Sequence, residues 1–141
     1  MSLSSSTSTS SILLKAFNKH FFEFIEDLSR ICPERKEIIQ SKKYLETMKM
    51  ANPSLLLKVW YKFISLPYQS QIAEGDLDFF FNKDYKHDLA QMPNSEEILK
   101  IVDSTLREPL RNMDEENKGK CRKYIQLVST ICNKYMEEKG M

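Results

Sequence analysis

Apolar positions along this chain recur at helical spacing, and their phase changes at a few punctuating residues. Over residues 53–66, PSLLLKVWYKFISL, the apolar character runs almost all the way round a helix. Leu55, Leu56, Leu57, Val59, Trp60, Tyr61, Phe63, Ile64 and Leu66 leave only a narrow polar strip of Lys58, Lys62 and Ser65. A helix of that kind is buried in a bundle or faces a partner. It is too short to cross a bilayer, which takes about 20 residues, so it is expected at the centre of the fold.

Around it the pattern predicts further helices. In residues 12–31, Leu14, Phe17, Phe21, Phe24, Leu28 and Ile31 form an apolar seam of alternating three- and four-residue steps, widened by Leu13 and Ile25. Phe22 lies off that seam. Cys32-Pro33 ends the helix, since a residue before proline is driven out of helical geometry. A second helix is expected over about 34–50, with Pro33 in its first turn, Glu34 and Glu37 on its positive end, and Ile38, Leu45 and Met48 inward. Asn52-Pro53 reads as cap and first turn of the central helix, and Pro67 as its stop.

Residues 67–94, with Gly75 and the run LDFFFNKDY, suggest a loop with one or two short helical turns, one of them capped by Asp76 and running to Phe81. Asn94 and Glu97 have capping-box spacing. After them Ile98, Leu99, Val102, Leu106, Leu110 and Met113 share a face, with Pro109 breaking or kinking the element. Asn112 and Glu115 offer a second capping box for a last helix over about 113–139, roughly 40 Å long. Its stripe is Cys121, Tyr124, Ile125, Val128, Ile131, Cys132, Tyr135 and Met136, and Gly140 stops it. The expected fold is all-α, with about five helices in an irregular bundle around a central apolar helix. It comprises a single helical domain, 12–141, behind a Ser/Thr-rich arm, 1–11, that has almost nothing to bury.

Composition narrows the chemistry. Twenty-one basic against 20 acidic residues leave a net charge of +1, without the basic excess of a dedicated nucleic-acid binder. An odd number of cysteines, three, does not make a disulfide framework. Cys121 and Cys132 lie too far apart on one helix to bridge, so the cysteines read as small buried hydrophobes in a reducing compartment. The opening MSLSSSTSTSS lacks the basic and apolar regions of a signal peptide, and no transmembrane stretch is present.

Four groups of residues are candidate sites. His20 and Glu23, with Asp84, His87 and Asp88, have a faint likeness to di-metal bundle ligands, but the order is reversed and the acid is changed. Cys32, Cys121 and Cys132 supply no close pair for zinc, and no nucleophile elbow occurs. No catalytic residue, metal or cofactor is therefore expected, and the protein is not read as an enzyme. The cluster Lys118, Lys120, Arg122 and Lys123, beside Tyr124, suits phosphate contact. It reads more readily as a solvated face, balanced by Asp114, Glu115 and Glu116. The aromatic residues carry more weight. Phe22, Trp60, Tyr61, Phe79, Phe80 and Phe81 are candidate partner anchors, as aromatic side chains often are. The alternative for Phe79–Phe81 is that they plug the end of the bundle.

The stretch 13–38, with its FN-x-x-FFEF-x-ED run at Phe17–Asp27, the proline at Pro33 and the following LLKVWYKFI helix, resembles small helical proteins of unassigned activity encoded by nucleocytoplasmic large DNA viruses. The resemblance covers mainly residues 13–66. It implies a viral origin and a structural role by protein–protein contact, as a minor capsid or other virion component, located in the virion and in host cytoplasm during assembly. Capsid or other virion proteins are then the expected partners. The alternative is a nucleic-acid-associated accessory factor that uses the 118–123 face.

Overall fold

The computed structural model describes residues 9–76 and 113–140. Five α-helices lie among them: α1 (Thr9–Ile31), α2 (Lys36–Ala51), α3 (Leu55–Trp60), α4 (Gln69–Glu74) and α5 (Glu115–Glu138). The last turn of α3 runs directly into a π-helical turn, Tyr61–Ser65. No strand occurs among the described residues, and the chain is all-α as its periodicity predicts.

The seam of α1 is the floor of the core. Phe17, Phe21, Phe24, Ile25 and Leu28 are buried, while Leu13 and Leu14 pack at its margin. Its widest partner is α5, whose buried stripe of Cys121, Ile125, Val128, Ile131, Cys132, Tyr135 and Met136 faces it. Ile31 lines a cavity with Asp114 and Asn117, and Asp27 meets Tyr124. As residue numbers fall on one helix they rise on the other, so the pair is antiparallel. The α3–π segment wedges onto this pair and touches α1, α2 and α5, which makes the apolar helix central as its pattern predicts. Leu56, Leu57, Val59, Trp60, Phe63 and Ile64 are all buried. Inside the wedge the indole N–H of Trp60 donates to Ser129 Oγ at 2.9 Å, which satisfies a donor that burial would otherwise strand. Phe21 meets the Trp60 ring edge-on, with centroids 5.9 Å apart.

Several boundaries differ from expectation. Helix α1 starts at Thr9, not residue 12, with Ser10 buried, so part of the expected arm is helical. Serine costs a helix only a few tenths of a kcal/mol, roughly, and packing outweighs that. Helix α2 starts at Lys36, with Pro33 and Glu34 in the turn before it. Asn52 closes α2 in an extended conformation rather than capping α3. Ser54 precedes α3, and its hydroxyl donates to Asn52 Oδ1 at 3.2 Å. Asp114, not Asn112, caps α5, its carboxylate accepting from Asn117 N at 2.8 Å. Asp76 closes α4 in a Schellman arrangement, its N–H bonding Gln71 O at 2.8 Å while Gly75, at φ +78°, supplies the left-handed residue. The helix expected over 94–113, the turn from Asp76 to Phe81 and the segment 1–8 of the arm lie outside the described residues.

The π-turn is the main departure. The N–H of Leu66 reaches back five residues to Tyr61 O, at 2.8 Å. On an uninterrupted α-helix Ser65 would fall within about 20° of Lys58, on the polar strip. The wider turn rotates it inward: Ser65 is fully buried and Leu66 is half exposed.

Candidate interaction site

A groove of about 470 Å³ runs between α1 and α2, with Tyr124 of α5 at one end. Its floor is polar. Lys42 Nζ of α2 meets Glu26 Oε2 of α1 at 2.7 Å, which lowers the Glu26 pKa and raises that of Lys42. Arg30 and Asp27 pair at 2.6 Å. Tyr124 donates its phenol proton to the other oxygen of Asp27, and its ring stacks on Phe24 at 5.1 Å between centroids. The hydrogen bond to that carboxylate is the main cause that pushes the Tyr124 pKa up to about 12.

Further charged and polar groups line the groove. Lys19 and Glu46 form no close ion pair among the described residues, though the Glu46 charge helps raise the Lys42 pKa. Lys49 Nζ lies 5.1 Å from the centroid of Phe22, a cation–π contact. Asn18 donates through Nδ2 to Pro53 O at 3.0 Å, which ties α1 to the α2–α3 turn, but its buried Oδ1 has no partner. Burying an unpaired acceptor costs about 1–3 kcal/mol. Beside the groove, Ile39 and Met50 stand on the flank of α2, 50% and 82% exposed. They share an edge with Glu46, which lies four residues before Met50 and seven after Ile39.

Of the residues singled out from sequence, Phe22 belongs to this groove. It is half-buried, edge-on to Phe21 at 5.8 Å. Trp60 does not belong to it: at 2% exposure, with its N–H spent on Ser129, it is a core residue and offers no surface to a partner. Tyr61 is half-buried against the core at the start of the π-turn. Phe79, Phe80 and Phe81, with Asp84, His87 and Asp88, lie outside the described residues. His20 Nδ1 meets Glu23 Oε1 at 2.7 Å on the surface of α1. Among the described residues no group of three or more histidine, cysteine or acidic side chains is placed to hold a metal.

The basic cluster is divided by its own helix. Lys118 and Arg122 are four apart and share a side, whereas Lys120 lies about 200° round from Lys118. Arg122 Nε donates to Gly75 O at 3.0 Å. Lys118 is engaged in an interaction of its own. Lys120 borders a cavity with Asp27, Arg30 and Tyr124 of the opposite flank, and Lys123 is exposed. These four residues therefore present no single cationic face. Cys121 and Cys132 are buried, and burial raises both thiol pKa values, that of Cys121 to about 12. Cys121 packs with its Sγ 3.7 Å from Met113 Sδ, and Cys132 Sγ lies 3.4 Å from Leu57 O.

Sequence reasoning passed over Asn18. The available signal was its place on the apolar face of α1, four residues from Leu14 and three from Phe21. No protein-family model, curated protein or solved structure matches this chain. No described helix is long and apolar enough to cross a membrane.

Proposed function

We propose that this chain is a structural or interaction protein that works by protein–protein contact through the α1–α2 groove. One observation carries the reading. Charges of both signs that form no close ion pair among the described residues, Lys19 and Glu46, flank a half-buried aromatic ring, Phe22, and an orphaned buried acceptor, Asn18 Oδ1, beside the exposed Met50. Anchors with an aromatic centre and a polar rim suit a protein partner. The more specific role, a minor capsid or other virion component of a large DNA virus, is supported by the resemblance over residues 13–66 alone.

The test places a photo-crosslinking residue at Met50, and a control at Lys139, in the full chain produced during infection. The expected result is co-purification with particles and a discrete Met50 crosslink to a particle protein, which Glu46→Lys weakens. A chain absent from purified particles rejects the virion role. A chain present there, with Met50 and Lys139 crosslinking alike and unaffected by Glu46→Lys, rejects the groove.

A further inference from the structure

A second cavity lies on the other side of the molecule, beneath the π-turn and between α4 and α5. It has a volume of about 260 Å³ and opens to solvent. Ser65, Gln69, Gln126, Ser129, Thr130 and Asn133 supply its polar lining. None of the described residues that line it is charged. This is unusual for a chain with 29% charged residues.

The hydrogen bonds in this lining can be counted. Ser65 Oγ donates to Asn133 Oδ1 at 2.6 Å. That contact exists because the π-turn has carried Ser65 inward, and π-turns are frequent at functional sites. Asn133 Oδ1 is thus engaged, while both N–H groups on its Nδ2 are left over. Gln126 is the complement: Nε2 donates to Ile72 O at 2.8 Å and Ala73 O at 3.4 Å, so its Oε1 is left over. Ser129 Oγ accepts from Trp60. Thr130 Oγ1 donates to Gln126 O at 2.8 Å. On the α5 wall, one end of the cavity therefore offers donors and the other an acceptor. They lie seven residues apart on α5, about 10 Å along its axis.

From this lining we infer that the cavity is a binding site for a small uncharged polyol of about monosaccharide size. A hydroxyl both donates and accepts, so a chain or ring of hydroxyls serves Asn133 and Gln126 together across that span. A single carboxamide is too short to do so. A phosphorylated or carboxylated ligand would bring its charge to a lining that has no counter-charge, at a desolvation cost. The volume lies just below the usual range for drug-sized ligands, about 300–1,000 Å³, which fits a single sugar ring and not a cofactor.

Trp60 is the chain's only tryptophan, and its bond to Ser129 makes it a reporter on the cavity floor. The experiment titrates the full chain with methyl glucoside, myo-inositol and glucose 6-phosphate. It follows the side-chain amide resonances of Asn133 and Gln126 and the indole N–H of Trp60. Saturable shifts at all three positions are expected with a neutral polyol. Glucose 6-phosphate should bind at least about tenfold more weakly, since a tenfold loss corresponds to about 1.4 kcal/mol. Asn133→Leu should abolish the shifts at Gln126 and Trp60. Should that variant fail to fold, Thr130→Trp, at an exposed position on the cavity wall, should abolish them by filling the space. The inference is overturned if neither neutral polyol saturates up to its solubility limit, if the phosphorylated sugar binds equally well, or if a folded variant binds like the parent.

Discussion

Tyr124 shows how one side chain can set a pH limit. Its phenol pKa stands near 12 in the folded chain, against an ordinary value of 10.0, because its proton is held by Asp27. The folded state therefore binds that proton more tightly than the unfolded state does. The resulting stability is complete below pH 10 and is lost as pH rises from about 10 through 12. Tyr124→Phe should flatten the alkaline limb of a plot of melting temperature against pH, with little change near neutrality beyond the lost hydrogen bond. The pair Glu26–Lys42 acts at both ends: its depressed carboxylate loses its contribution as pH falls below 4.5, and its raised ammonium as pH rises above 10.5. Gly75 acts through its backbone instead. At φ +78° any Cβ is strained, and there it would stand 2.8 Å from Arg122 Cδ. Gly75→Ala should cost about 1–2 kcal/mol in denaturant unfolding, the expected penalty for a left-handed alanine. Adding Arg122→Ala should recover only the steric part.

At the scale of elements, the π-turn makes its own prediction. It behaves as an α-helix with one residue too many between Lys58 and Ser65. Deleting Lys62, which is exposed, leaves Ser65 six residues after Lys58, about 240° round an α-helix and still inward. Deleting Lys58, equally exposed, instead throws Val59 and Trp60 out of phase with the core. The Lys62 deletion should therefore lower the melting temperature by several degrees less than the Lys58 deletion, and circular dichroism on heating measures the difference. This element also marks where sequence reading stops. The seam of α1 and the stripe of α5 are legible because each is a long run at a fixed period, and each is buried apart from the half-buried Leu14, Ile31 and Tyr124. A π-turn changes the period in mid-element, and within LLLKVWYKFISL nearly every position is apolar, so phase leaves no trace. Ser65 falls on the polar strip of the sequence pattern for that reason. Cap positions differ by two residues because Asn52, Ser54, Asn112 and Asp114 are all competent caps, and only the backbone path chooses among them. For the proposed interaction site, Phe22 stands out in the sequence as an aromatic off its seam. The groove does not, because it is made by α1, α2 and α5 together.

In the whole molecule, one core spans every described helix. Buried side chains of α1, α2, the α3–π segment, α4 and α5 belong to a single cluster. Domains of this size with one core commonly unfold in a single cooperative step. Trp60 sits inside that cluster, bonded to α5 and in edge contact with α1. Its fluorescence and the far-ultraviolet helix signal should then report the same denaturant midpoint. Distinct midpoints would show that α5 separates from the rest.

The three thiols have a further consequence as timers. A thiol reacts as its thiolate and only where reagent can reach it. Cys32 is half-exposed beyond the end of α1, Cys121 is buried nearer the start of α5, and Cys132 is fully buried further along it. Their alkylation rates under native conditions therefore read the free energy of opening at three depths of one chain, without any introduced probe. Cys32 should react first and almost independently of denaturant. Cys121 should follow through fraying of the α5 start, and Cys132 should wait for complete unfolding, its rate rising with denaturant along the global slope.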